Sequence, residues 1–126
     1  MTHHLLTIPA PAAFIRSNQH RDAWRTRSTL TRAWREAAGW EARRQRIPAQ
    51  PTPVRVVATI HRDDNRAYDL DGIAVTVKAC IDGCRDAGVL PGDSVRHIPE
   101  LVLRHGDQWA DAAVVLTFHP IEGDAA

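Results

Sequence analysis

The sequence predicts an α/β fold of the α+β kind: a small mixed sheet of about four strands packed by two helices, in the order β-α-β-α-β-β. Three observations lead there. The chain has 126 residues, 44% hydrophobic and 25% charged, enough for one domain whose core needs no disulfide or metal staple. Short β-branched runs of strand length occur near both ends and in the middle. Two longer stretches between them repeat apolar residues at helical spacing. Residues 1–126 therefore read as a single domain with a polar tail from about residue 122.

The elements follow in order. His4 to Ile8 is short and apolar, and Pro9 and Pro11 close it, so it reads as an edge strand followed by a loop. From about Gln19 to Arg46 the chain is helical, with Leu30, Trp34, Ala37 and Ala38 as its apolar stripe and arginines around it. Trp24, Trp34 and Trp40 are assigned to the core in preference to a base-stacking role. Pro48, Pro51 and Pro53 then forbid helix. Val54 to His61 alternates as a strand, with Val54, Val56, Ala58 and Ile60 on one face. Arg62 to Tyr68 is a polar loop. A second helix runs from about Gly72 to Ala87, burying Ile73, Val77, Cys80, Ile81 and Cys84 in one sector. Gly88 ends it as a C′ glycine, and Pro91-Gly92 suits the centre of a type II turn. Ser94 to His105 and Ala112 to His119 read as two strands joined in a hairpin around Gly106-Asp107.

Charge and cysteine usage narrow the function classes. The net charge is +1, but up to Pro48 nine arginines face three acids, and from Ala49 onward seven basic residues face twelve. A basic segment joined to an acidic one fits polyanion binding on one part and gathered carboxylates on the other; a basic surface helix on a neutral domain is the plainer alternative. No apolar run approaches a membrane span, and the N-terminus has no positively charged leader segment. The two cysteines share one helical face with no histidine at zinc-site spacing. The expectation is a reduced cytoplasmic protein without a membrane partner.

The chemistry-bearing residues cluster around the second helix. Asp69 and Asp71 stand two apart at its N-terminal approach, on one side of extended chain, and Asp93 follows the turn beyond it. Two carboxylates with a distant third suit a hard cation that keeps positions for water and phosphate; helix capping by Asp71 is the alternative use. On the helical wheel Asp71, Lys78 and Asp82 share the side opposite the apolar sector. Lys78 is the only lysine beside fifteen arginines, which suggests a place where a compact point charge is needed. Helical side chains lean toward the N-terminus, so its ammonium is expected to swing toward Asp69 and Asp71. The alternative is an exposed i,i+4 pair with Asp82.

The run Asp69-Leu70-Asp71-Gly72, then Lys78 with Asp82 four residues later, then Gly88-Val89-Leu90-Pro91-Gly92-Asp93 resembles the signature of the RusA-type Holliday junction resolvases, the crossover-junction endodeoxyribonucleases of bacteria and their phages. That signature reads Asp-x-Asp-Asn, a helix with lysine and aspartate, then Gly-x-x-x-Asp-Asp. An N-terminal strand, a Ser17-Asn18 loop and an Arg-rich helix extend the likeness more loosely over most of the chain. Two positions depart from it: Gly72 replaces the asparagine, and Gly92 replaces the first aspartate of the final pair. Lys78 also lies about one helical turn farther from the Asp-x-Asp than in some members.

The resemblance implies a homodimer that binds a branched four-way DNA junction and hydrolyses one phosphodiester in each of two opposed strands, in a bacterial host or phage. It assigns Asp69, Asp71 and Asp93 to Mg²⁺, with Mn²⁺ as a substitute, and Lys78 to the scissile phosphate. Asp82 stands behind them in support. Two such ions roughly 4 Å apart activate water and stabilise the leaving oxygen. Arg16, Arg21, Arg25, Arg62 and Arg66 are the expected contacts to the DNA backbone. The alternative is a catalytically impaired relative that binds DNA without cutting it.

Overall fold

The computed structural model describes residues 3–16 and 24–122. Four strands, β1 (His4–Pro9), β2 (Val54–His61), β3 (Glu100–His105) and β4 (Ala113–Pro120), form one sheet in the order β1-β4-β2-β3. Two helices, α1 (Trp24–Arg44) and α2 (Ala74–Asp86), complete the expected α+β arrangement. The expected strand at the centre has the expected bounds, and Val54, Val56, Ala58 and Ile60 are all fully buried. They join Leu6, Ile8, Val114, Leu116 and Phe118 on the sheet face against which Trp34, Ala38, Val77, Cys80 and Cys84 pack. Both helices therefore serve the same core. Among the described residues no helix is long and apolar enough to cross a membrane.

The expected C-terminal hairpin does not form. β3 runs parallel to β2, with Val56 opposite Leu101, whereas β4 runs antiparallel to β2 and to β1. The cause is burial. β4 is nearly as apolar along its length as β2, and the two take the centre, while β3 is exposed at both ends and takes an edge. A β2-α2-β3 crossover supplies the parallel pair. The segment between β3 and β4 must then cross the end of β2. His61, the last residue of β2, stacks on Trp109 at 3.6 Å, and backbone bonds from Gly106 to Ile60 and from Trp109 to Arg62 hold that crossing.

Three smaller expectations also change. Ser94 to His97 is a turn, not strand, closed by the His97 and Ile98 amides donating to the Ser94 carbonyl. Gly92 does not take the positive φ that a type II turn requires; its missing Cβ makes room for the His97 ring instead. Of the three tryptophans assigned to the core only Trp34 is buried, and Trp24 and Trp40 are 64% and 59% exposed. They lie on the outer side of α1, away from the Trp34-Ala38-Ala42 stripe.

Helix α1 meets α2 at a close crossing over Gly39 and Gly83. Arg35 of α1 grips Asp86 of α2 with two bonds, 2.6 and 2.8 Å long, and Arg43 donates to the Asp86 carbonyl. Beyond α2, Gly88 has φ +81°, and Val89 N–H donates to the Cys84 carbonyl at 2.9 Å. This is the left-handed helix end expected from sequence. Gly88→Ala should therefore cost about 1 kcal/mol, read as a lowered urea midpoint with unchanged slope; an unshifted midpoint would contradict the assigned backbone conformation.

Candidate metal and phosphate site

Asp69 and Asp71 sit where β2 has handed over to a loop and the loop tightens into a 3₁₀ turn, Leu70–Ile73, before α2. The turn is closed by the Gly72 amide donating to the Asp69 carbonyl at 3.0 Å. Asp69 occupies its N-cap position without a side-chain capping bond, and α2 itself begins after Ile73, later than the sequence suggests. Capping thus does not use the Asp69 carboxylate. Both carboxylates are exposed and line one polar cavity of about 470 Å³ together with Arg16 and Tyr68.

Arg16 reaches that cavity because the segment before it is fastened to the helices. Thr76, buried on α2, donates its hydroxyl to the Ile15 carbonyl at 2.9 Å and accepts the Ile15 amide at 2.8 Å. Trp34 Nε1 donates to the Ala13 carbonyl at 2.9 Å. Thr76 lies beside the apolar sector of α2, a position that helical periodicity does not single out.

Lys78 and Asp93 form a different constellation. The Lys78 ammonium donates to Asp82 at 2.7 Å and to Asp93, so its partners are these two carboxylates and not Asp69 and Asp71. Asp93 also faces Arg85 at 3.5 Å, and Arg85 lies 3.8 Å from Asp82. The hydrogen bond from Lys78 holds the Asp93 carboxyl below the usual carboxylate range, and the bonds that Lys78 donates to Asp82 and Asp93 raise its own pKa. Among the described residues no three of His, Cys, Asp and Glu stand together as a metal-ligand group. Asp69 and Asp71 share a cavity; Asp93 is engaged elsewhere.

The charge cluster makes a pH prediction. A depressed carboxyl contributes stability above its ordinary pKa, and that contribution is lost as pH falls through the lower folded value. A raised ammonium contributes below its ordinary pKa and loses this as pH rises through the higher folded value. Lys78→Met should therefore return the Asp93 carboxyl upward toward the ordinary range, as followed by carboxyl NMR titration. An unmoved Asp93 titration would contradict the pair.

The expected backbone-binding arginines separate into groups. Arg16, Arg25 and Arg66 are exposed, Arg25 lying over Trp24 at 5.6 Å. Arg21 lies outside the described residues, as do Ser17 and Asn18. Arg62 is buried, unlike the exposed position expected of a DNA-backbone contact. Its guanidinium sits 5.7 Å from the Phe14 ring and 4.7 Å from the Tyr68 ring, pairs with Asp64 at 3.5 Å, and leaves Nη1 without a partner among the described residues. Weak hydration and a planar face let arginine stack where a lysine would not. Sequence reasoning missed this sandwich because Phe14 is far from Arg62 and Tyr68 in the chain.

Two carboxylates on one tight turn, open to water, fit a hard cation such as Mg²⁺, which binds through one or two carboxylates and keeps several waters and phosphate oxygens. An adjacent guanidinium fits the phosphate. The chain matches no known protein-family model and no curated protein sequence.

Proposed function

We propose that this protein is a Mg²⁺-dependent endonuclease that resolves four-way DNA junctions, of the RusA type, with Mn²⁺ as an acceptable substitute. The observation that carries the reading is the meeting of Asp69, Asp71 and Arg16 in one polar cavity. Asp69 and Asp71 would hold the cation and Arg16 would orient the phosphate. The cation, when bound, supplies Lewis acidity and a water of lowered pKa. Asp93 would join the donor set by exchanging its Lys78 contact, and Lys78 would then face the phosphate as a compact positive charge, with Asp82 steadying it. Arg25 and Arg66 would contribute sequence-independent backbone contacts that weaken with salt. A two-fold homodimer suits paired cuts in a junction of near two-fold symmetry. Free, buried Cys80 and Cys84 agree with a reducing, cytoplasmic location.

A second reading, a relative that binds junctions without cutting them, is favoured by one observation: Asp93 is already engaged by Lys78 and Arg85. The assay that separates the two uses purified protein, Mg²⁺, a labelled four-way junction and a linear duplex of the same arms. The nuclease reading expects junction-selective, chelator-sensitive paired cuts by a dimer in sedimentation. Tight junction binding with no incision in Mg²⁺ or Mn²⁺ would leave the second reading alone.

A further inference from the structure

The loop bearing Asp69 and Asp71 lines two cavities. Ala67 and Tyr68 contribute to the carboxylate cavity and also to an open neighbour of about 330 Å³, lined further by Leu70, His105, Asn65, Arg66, Gln108 and Asp64, whose carboxylate accepts from the Arg66 amide and pairs with Arg62. Tyr68 stands at the boundary, held by two contacts. Arg62 lies over its ring at 4.7 Å, and its hydroxyl is hydrogen-bonded to His105 Nδ1 at 2.7 Å. The His105 ring stands 5.5 Å away, tilted by 58°, so the two rings make a fixed aromatic corner. Leu70 adds an apolar wall. Gln108 is oriented by donating its amide to the Asp63 carbonyl at 3.2 Å, and Asn65 and Arg66 are exposed at the rim.

Such a cavity asks for a flat ring with an apolar face, hydrogen-bonding edges and an anionic tail. Its volume lies at the small end of the ~300–1,000 Å³ of small-ligand sites, room for one ring system. Aromatic side chains bind single-stranded bases by stacking, irrespective of sequence, because every base has a π-face. An aliphatic peptide side chain would leave the two amides and the guanidinium without use.

We infer that this cavity is a nucleobase-binding site, and, resting on the nuclease reading, that it takes a base next to the phosphodiester at Asp69 and Asp71. Tyr68 and His105 stack or flank the ring, Gln108 and Asn65 meet its edge, and Arg66 meets the backbone. A base unstacked at a junction's branch point is cheaper to capture than one inside a duplex.

The test uses a short single-stranded oligonucleotide carrying one 2-aminopurine, titrated without added metal. Wild type should quench its fluorescence on binding. Tyr68→Ala should abolish the quenching and weaken binding about tenfold, whereas Tyr68→Phe, which keeps the ring, should quench. His105→Ala and Gln108→Ala, at exposed positions, carry the same test should Tyr68→Ala fail to fold, and each should reduce quenching. Unquenched fluorescence with wild type, or equal quenching by Tyr68→Ala, His105→Ala and Gln108→Ala, would overturn the site. The readout needs no cleavage: quenching by a protein that cuts no junction upholds the base site and removes only its link to the scissile phosphate.

Discussion

Asp69→Asn or Asp71→Asn is expected to abolish Mg²⁺-dependent junction cleavage while junction binding persists. Asparagine preserves the shape of each side chain but removes the anionic oxygen that a hard cation requires. Losing even a group that only supports a metal ligand costs 10–100-fold, so loss of a ligand should exceed about 100-fold in single-turnover rate. The fold should be indifferent, since both carboxylates are exposed and Asp69 makes no capping bond. Arg16 and the other exposed arginines are untouched, so affinity and its salt dependence should change little. A variant of either residue that cuts at the wild-type rate would remove both from the chemistry.

The largest stability effect is expected at Gly83. A Cβ there would collide with the Arg35 carbonyl oxygen and come within 2.8 Å of Ala38 Cβ and 2.9 Å of the Gly39 nitrogen. Two of these obstacles are backbone, which no side-chain rotation relieves, so α1 and α2 must move apart. Overpacking of this kind costs about 3 kcal/mol, which for a domain of this size lowers Tm by roughly 10 °C. Separation would also strain the Arg35–Asp86 grip. Gly39→Ala should be milder, because its Cβ would stand 3.2 Å from the Gly83 carbonyl oxygen. Thermal unfolding by circular dichroism checks both; an unchanged Tm for Gly83→Ala would contradict the helix crossing.

Local rules read well in this chain, and long-range ones did not. Alternation placed β2 to the residue, the helical wheel found the buried face of α2, and Gly88 marked its end. The strand order escaped because Gly106-Asp107 between two strand-like runs is a hairpin signal locally. The deciding quantity was global: which strands are apolar enough for the sheet centre. The bare comparison of Glu100–His105 with Ala113–Pro120 contained that information, since only the second is apolar on both faces. At the site, spacing placed Asp69 and Asp71 together because they are neighbours on one turn. The wheel also put Lys78 and Asp82 on one side, and they are paired. What it lacked was Asp93, delivered by the loop after α2 and able to compete for the ammonium. The Phe14-Arg62-Tyr68 sandwich and the Thr76 clasp join segments roughly fifty or sixty residues apart, a distance over which periodicity carries no information.

The proposed cation site at Asp69 and Asp71 can be observed directly. Substoichiometric Mn²⁺ added to ¹⁵N-labelled protein broadens the amide signals nearest the bound ion. Early broadening of Asp69 to Gly72 is expected, reversed by excess Mg²⁺ and absent in Asp71→Asn, with Asp93 broadened as well when it joins the donor set. Broadening spread evenly over the acidic surface, or focused elsewhere and unaffected by Asp71→Asn, would contradict the proposed site.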